Sequence, residues 1–420
     1  MKKKNQLTTY ILISLGLGIV AGYLANKTLV DTSGFADTMS LVTTLFLRLI
    51  KMIIAPLVFS TLVLGIAKMG DVNEVGRVGI KTLGWFFIAS LISLTLGLIM
   101  VNLFHPGDSL AGHLPPAGAS SGVAASGLTL KEFVTHLVPA SIVEGMAKNE
   151  ILQIVIFSLF FGSAAAAVGQ KAEPLVAALD GVAHVMLVVT GYVMKFAPAA
   201  VFAAVAGTVA TSGLAVLSTY GVFMSEFYLS MGLLWVVLIG VGYLFLNKRV
   251  FALLAEVRGP TLLAFTTASS EAAFPKTLEG LERFGVRNRI AAFVLPIGYS
   301  FNLDGTMMYC TFATMFIAQA YGIEMTAGQQ ITMMMVLMLT SKGVAGVPRA
   351  SLVVIAATLS QFHIPEAGLL LLLAIDHFLD MGRSATNVIG NSIATAVVAK
   401  WEGELHAPLA ERELAQGARP

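Results

Sequence analysis

Charge is scarce in this 420-residue sequence: Asp, Glu, Lys and Arg together make up 12% of it, and 26 basic against 24 acidic side chains leave a formal net charge of +2. Its cations lie in short scattered clusters rather than in a patch, which gives no reason to expect a nucleic acid or an acidic macromolecule as partner. Cysteine is almost absent. The single Cys310 excludes an internal disulfide and any Cys-based metal site, and no cofactor is expected. A small-residue cleavage site is missing too, so the run LTTYILISLGLGIVAGYLA after MKKKNQ reads as a retained first span and not as a signal peptide. What is abundant is grease. With 56% hydrophobic residues and a mean hydropathy of +0.83, the solvent for much of this chain is lipid.

Apolar runs long enough to cross roughly 30 Å of hydrocarbon, about 20 residues each, occupy 8–26, 39–67, 82–104, 150–169, 175–211 and 219–246. Between His105 and Lys148 lies a Gly/Pro/Ser-rich segment too polar for lipid, read as an exposed loop. Lys2, Lys3 and Lys4, then Lys68, Arg77 and Lys81, then Lys171, then Lys248, Arg249 and Arg258 fall in alternate loops. Cations concentrate on the cytoplasmic side, so the amino terminus is expected inside.

After residue 250 the pattern changes. Segments 251–285 and 328–363 are each too long for one span and are interrupted halfway, by TTASSEAAFP and TSKGVAGVP, so each reads as a re-entrant helical hairpin. Backbone freed at such a break must be buried in protein or line a wet cavity. Paired broken segments point to a transporter's substrate site. Each hairpin precedes a long span with a polar interior, 290–320 with SFNLDGT and 366–400 with DHFLDMGRSATNVIGNS, giving an internal repeat of architecture.

In the last span Asp376, Asp380, Arg383, Asn387 and Asn391 share one helical face, with Ser384 one step round. A central Arg or Asp costs several kcal/mol in lipid, so this stripe faces an interior cavity. Two readings fit it: a structural Asp380–Arg383 pair, or a ligand site in which Arg383 clamps a carboxylate and Asp380 meets an ammonium. The second describes an amino acid with an acidic side chain. In 302-NLDGT-306 a Gly that lets the helix unwind is flanked by oxygens suited to a small cation, or the stretch is a kink closed by an Asn/Asp hydrogen bond. A membrane hydrolase built on Ser270 or Asp380 lacks a His or second carboxylate in any plausible triad or dyad order.

The order SSEAAFP, NLDGT, SKGVAGVP and D..LDMGRSATNVIGN, with PLVFSTLVLGI near residue 60, resembles the dicarboxylate/amino acid:cation symporter family, the glutamate transporter group, over nearly the whole chain. The resemblance implies an all-α polytopic protein with eight transmembrane helices, two re-entrant hairpins and inverted repeats. It further implies a homotrimeric elevator transporter in a bacterial cytoplasmic membrane, with both termini cytoplasmic. The implied division is a scaffold of 1–81 and 150–212, a transport domain of 82–105 and 213–402, an extracytoplasmic loop 106–149 and a cytoplasmic tail 403–420. The implied activity is not enzymatic but symport of aspartate or glutamate, with C4-dicarboxylates as the alternative within the family. An anion channel is the alternative from another class, which two hairpin gates argue against.

Carried over by position, the resemblance makes Arg383 the clamp for the substrate's distal carboxylate and Asp380 the partner of its amino group. Thr306, Ser270, Asn387 and Ser384 complete the pocket, with backbone from Val347 and Ser351 of the second hairpin. The family's sodium ligands fall on Gly298, Asn302, Asp304, Asn387 and Asn391, where sodium-coupled members carry Asp at the last place. A third-span site reads Phe86 and Ala89, leaving Ser90. A site at the second hairpin, Ser300 with carbonyls of Ser341, Lys342 and Val344, stays intact because it uses mostly backbone. Hard cations favour carboxylate oxygen, so these changes weaken sodium sites and favour H⁺ over Na⁺ as the coupling ion. Glu271 is then the candidate proton carrier, or else an electrostatic partner for Lys276 or Lys342. Arg349 at the gate has no physical account.

Overall fold

The computed structural model describes residues 4–69, 72–110, 138–213, 220–341, 350–373 and 375–408. Val347, Arg349, Lys342, Val344, most of the 106–149 loop and the end of the tail lie outside them. Among the described residues the chain is helical, with turns, short 3-10 segments and one isolated antiparallel bridge between Val286 and Leu405.

The helices are α1 (Lys4–Thr28), α2 (Ser33–Met69), α3 (Val72–Phe104), α4 (Ile142–Lys148), α5 (Ile151–Val168), α6 (Glu173–Val193), α7 (Ala197–Ser212) and α8 (Gly221–Leu246). They continue with α9 (Arg249–Thr267), α10 (Ser270–Phe284), α11 (Asn288–Phe301), α12 (Asp304–Ala320), α13 (Ala327–Thr340), α14 (Ala350–Gln361), α15 (Leu369–Leu373) and α16 (Asp376–Trp401). Among the described residues, six helical stretches are long and apolar enough to cross a membrane, which makes this a multi-pass membrane protein.

Two kinds of helix share the work. α1, α6 and α8 leave large apolar side chains exposed, among them Leu17, Val185 and Leu244, as helices facing lipid do. α16 is the opposite: every residue from Met381 to Ala399 is buried. A helix covered on all sides must be held by others, and α16 packs against α8, α9, α10, α11 and α12, while α3 lies along α12. A second group forms around α2, which packs on α5, α6 and α7, with α7 running along α1. The α1–α7 approach is close because Gly22 presents no side chain; a Cβ there would sit 2.6 Å from the carbonyl oxygen of Ala206. α2 meets the buried group chiefly at α11, where Gly65 touches the backbone of Arg289.

The 251–285 segment is a helical hairpin, α9 and α10, and its closed end is made by local chemistry. Ala268 takes a left-handed conformation (φ 48°), and Ser269 then caps α10 by accepting the Ala272 N–H at 3.2 Å. Its open end is fixed at one place, since Arg249 donates to the His406 carbonyl at 2.6 Å and the His406 N–H donates to Gly285 O at 2.9 Å. In the second segment α13 starts from a capping box between Thr326 and Gln329.

The structure differs from the sequence expectations at three breaks. The run 175–211 is two helices, because a 3-10 turn at Met194–Phe196 precedes Pro198, whose ring lacks the N–H a continuous helix needs. The 290–320 run breaks at Asn302–Leu303 and not at Gly305, which lies inside the first turn of α12. Gly305 serves close approach instead: a Cβ there would lie 2.6 Å from the carbonyl oxygen of Arg383 in α16. The 366–400 run is likewise interrupted, a 3-10 turn and α15 preceding a fresh start at Asp376.

The carboxylate of Glu402, at the end of α16, ties that helix to the start of α3. It accepts from Arg77 at 2.8 and 3.0 Å and from Lys81 at 2.6 Å, and its side chain is 1% exposed. Burial pushes its pKa up, but the hydrogen bonds and charges of Arg77 and Lys81 outweigh this and hold it below the usual carboxylate range. A depressed folded-state pKa contributes stability above the ordinary carboxylate value and loses it as pH falls through the folded value. Glu402→Gln should therefore lower stability by about 1 kcal/mol at neutral pH. In thermal melts of the purified protein the gap to wild type should close below about pH 4; a gap that persists there would remove the ion cluster as its cause.

Candidate functional site

Starting α16 at Asp376 places the five polar residues of the stripe on one face, and that face meets α12 and α14. At its centre Arg383 is 2% exposed. Its Nη2 lies 3.2 Å from Asp376 Oδ1 and 3.1 Å from Asp380 Oδ1, while Nη1 donates to Ser351 Oγ of α14. The guanidinium carbon sits 4.1 Å from the centroid of the Tyr309 ring of α12, and the Tyr309 hydroxyl donates to Asp376 Oδ1 at 3.4 Å. One cation is thus held by two carboxylates, a hydroxyl and an aromatic face. The two carboxylates are not equivalent: the Asp376 side chain is 8% exposed and that of Asp380 is 39% exposed. Ser384 Oγ reaches Asp380 at the edge of bonding distance, 3.5 Å.

One turn further, Asn387 joins α16 to the broken span. Its Oδ1 accepts the Gly305 N–H at 2.9 Å and the Thr306 N–H at 3.4 Å, and its Nδ2 donates to Thr306 Oγ1 at 3.2 Å. These are the first-turn amides of α12, which have no partner within their own helix. Asn302 closes the break from the other side, donating to Asp304 Oδ2 at 3.0 Å and to Asn391 Oδ1 at 3.3 Å. Asp304 is fully buried and takes a further hydrogen bond from Ser93 of α3 at 3.3 Å. Gly298 and Gly390 make room here, since a Cβ on the first would overlap the Asn391 amide and one on the second would overlap the Asp304 carboxylate. Several buried polar atoms around this knot have no hydrogen-bond partner among the described residues: Asn302 Oδ1, Asn391 Nδ2 and Ser300 Oγ.

The sequence candidates are thus drawn into two linked clusters on α16. Arg383, Asp380, Ser384 and Ser351 form one; Asn387 and Thr306 connect it to Asp304, Asn302, Asn391 and Gly298. Four candidates stand apart. Ser270 is buried in the first turn of α10 without a hydrogen bond among the described residues. Ser341 turns its hydroxyl back to Met338 O at 3.2 Å, and Ser90 donates to Phe301 O at 3.4 Å. Glu271 is half-buried beside Ser270, and the cation whose charge acts on it is Lys51 of α2. Lys276, an expected partner, is taken by Glu279 at 2.9 Å.

Sequence reasoning missed the parts played by Tyr309 and Ser93, and left Asp376 as a member of the stripe without a role. The four- and three-residue spacing was the signal for Asp376. A Tyr within an apolar helix and a Ser among Leu and Ile carry no comparable signal.

The comparisons with known proteins fit this geometry. The model of the sodium:dicarboxylate symporter family matches residues 7–401. The chain is 40% identical over 420 residues to a proton/sodium-glutamate symport protein of Geobacillus stearothermophilus, covering 99% of each chain. It is 38% identical over 408 residues to a C4-dicarboxylate transport protein of Bacillus subtilis (strain 168), covering 96% of this chain and 95% of that one. A C4-dicarboxylate transport protein of Laribacter hongkongensis (strain HLHK9) is 40% identical over 377 residues, 88% of this chain and 85% of its own.

The contact of Gly390 with Asp304 generates a test of the second cluster. Gly390→Ala forces the buried carboxylate away from Asn302 and Ser93, an overpacking cost of about 1–3 kcal/mol. Substrate uptake should fall while the protein remains in the membrane at normal levels. Uptake and melting temperature both at wild-type values would mean that the close packing of α16 on Asp304 has no bearing on the site.

Proposed function

The chain belongs to the sodium:dicarboxylate symporter family, whose members are secondary transporters and not enzymes, and from that premise we propose that it imports acidic amino acids, aspartate or glutamate, together with a cation. One observation carries the reading: a buried guanidinium and a partly open carboxylate, Arg383 and Asp380, lie 3.1 Å apart on one helix. An acidic amino acid supplies a partner for each. Its distal carboxylate takes the guanidinium nitrogens that Asp380 and Ser351 engage here, and its ammonium takes Asp380. Thr306, Asn387 and Ser384 supply the hydroxyl and amide groups around it, with Ser270 and backbone at Val347 closing the pocket from the two hairpin tips.

Ser351 belongs to α14, so the second hairpin touches Arg383 directly. On this reading, that hairpin is the gate: lifting it frees a guanidinium nitrogen for substrate, and closing it returns a hydroxyl. The group around α2, with α1, α5, α6 and α7, would be the static scaffold of a trimer. α3 and α8 to α16 would be the part that moves through the membrane of a bacterial cell, both termini inside.

For the coupling ion we favour H⁺ over Na⁺. A neutral Asn391 stands beside Asp304, and Phe86 and Ala89 line the third-span position, so carboxylate oxygen for a hard cation is scarce. Glu271, half-buried at the first hairpin tip beside Ser270, is the proton carrier on this reading. A sodium route through the Asn302, Asp304 and Asn391 oxygens with Gly298, Ser300, Ser341 and Ser90 is the second reading. It rests on Asn302 Oδ1 and Ser300 Oγ, buried without a hydrogen-bond partner among the described residues. A C4-dicarboxylate as cargo is the alternative for the substrate, since relatives named for each cargo resemble this chain about equally.

Uptake of aspartate, glutamate, succinate and fumarate into proteoliposomes, under separately imposed Na⁺ and pH gradients, decides among these. Aspartate or glutamate uptake that persists without Na⁺ and collapses with a protonophore is expected; succinate outcompeting both amino acids would overturn the substrate. Counterflow of labelled aspartate is expected too, and a channel would give none. Arg383→Ala should reduce acidic-substrate uptake about 100-fold or more. Glu271→Gln should abolish accumulation driven by a pH gradient yet keep aspartate binding, and pH-driven accumulation at the wild-type level would remove Glu271 from the coupling.

A further inference from the structure

Far from both clusters, the turn between α8 and α9 meets the end of α16 around a cavity of about 540 Å³. Three cations line it, Lys248, Arg249 and Lys400, together with Asn247 and Tyr243. Among the described residues none of the three is paired with a carboxylate. Lys400 donates to the carbonyl of Phe245, and Arg249 donates to that of His406 while its guanidinium lies 5.1 Å over the Phe284 ring. The acids described at that chain end are engaged elsewhere, Glu404 by Arg287 and Arg289 at 3.0 and 2.5 Å and Glu402 by Arg77 and Lys81. Lys248 is exposed and stands at the amino end of α9.

The surroundings say at what depth the cavity lies. It sits where the apolar helix Gly221–Leu246 ends. Adjoining the lining residues in sequence, Leu244 is 76% exposed and Phe251, whose ring lies 6.2 Å from that of Tyr243, is 56% exposed, and both are large apolar side chains that water would not favour. Beside it Trp85, Phe245 and Trp401 form a cluster of edge-on rings 5.4 to 5.7 Å apart, the kind of aromatic group that sits at headgroup level. Cations at a membrane surface with apolar side chains just beneath them match the two halves of one molecule.

We propose that this cavity seats the phosphate of an anionic phospholipid, with its acyl chains along Leu244 and Phe251. The lipid then bridges the ends of α8, α9 and α16 and neutralises three cations that no carboxylate among the described residues pairs. The site lies apart from the substrate residues and does not depend on which solute is carried. A free phosphate would share the headgroup chemistry but would leave the apolar strip bare.

The test uses the full-length purified protein, with phosphatidylglycerol or phosphatidylcholine as added lipid and inorganic phosphate as the soluble competitor. Lipid retention by native mass spectrometry and melting temperature are the readouts. Phosphatidylglycerol should be retained and should raise the melting temperature above the phosphatidylcholine value. Lys248→Gln and Lys400→Gln should each cut retention about fivefold. The doubly substituted arginine protein, Lys248→Arg with Lys400→Arg, should restore it, and Lys171→Gln with Lys195→Gln, on the other helix group, should leave it unchanged. The Lys248 side chain makes no hydrogen bond or ion pair among the described residues, so its single variant should fold and transport in phosphatidylcholine. Equal retention of phosphatidylglycerol by Lys248→Gln and wild type would overturn the proposal. Equal protection by inorganic phosphate would assign the cavity to a free anion and overturn it as a lipid site.

Discussion

A guanidinium cannot sit in the interior of a membrane protein without partners, and the arrangement around Arg383 follows from that constraint. Removing such an ion from water costs several kcal/mol even after relaxation. Here the cost is offset by Asp376 and Asp380 on its own helix, by the Tyr309 face and by a hydroxyl from α14. The two carboxylates come from helical spacing alone, but the ring and the hydroxyl require α12 and α14 to converge on α16. Once they do, the first turn of α12 lies against the Arg383 backbone, and Asn387 is in place to satisfy the α12 amides. The charge thus sets the packing of three helices, and the packing sets the second cluster around Asp304.

Small residues make that convergence possible. Gly305 and Gly390 lie where α12 and α16 cross, Gly298 where α11 meets Asn391, and Gly382 where the Tyr228 ring leans on α16. At each of these places a methyl group would strike backbone, carboxylate, amide or ring. Tyr228 then donates to Phe378 O at 2.5 Å and Trp235 to Thr386 at 2.7 Å, so α8 is bound to the same helix by polar contacts that close approach permits.

Much of this was legible in the sequence, and the reasons for success and failure are physical. A polar stripe at helical spacing within apolar sequence has one solution, an inward face, so Asp380, Arg383, Asn387 and Asn391 could be read directly. Helix breaks are harder because two residue types mark them for different reasons. Gly305 was read as the point of unwinding, yet its smallness is used for contact, and the break falls at Asn302 and Leu303, where Asn302 bonds Asp304 across the gap. Pro198 split a run that hydropathy alone made continuous. Tyr309 and Ser93 could not be read at all, because their importance comes from what α12 and α3 face. Lys51 as the charge opposite Glu271 is likewise a fact of tertiary packing, more than two hundred residues away in sequence.

The unequal exposure of the two aspartates bears on the choice of cargo. Arg383 with Asp376 and Asp380 carries one net negative charge, and Asp376 is doubly occupied, by the guanidinium and the Tyr309 hydroxyl. Asp380 also meets the guanidinium and Ser384, but its side chain is the more exposed of the two, 39% against 8%. An acidic amino acid brings two carboxylates and an ammonium, so on the proposed reading it can place a positive group on Asp380 while a carboxylate takes Arg383. A C4-dicarboxylate brings only negative groups, and its second carboxylate would face Asp380 with like charge in a medium where water screens little. Asp380 would have to be protonated, or turned aside, for that cargo to bind as well. On the proposed reading, discrimination between the two would rest less on the clamp, which both would use, than on the single carboxylate beside it.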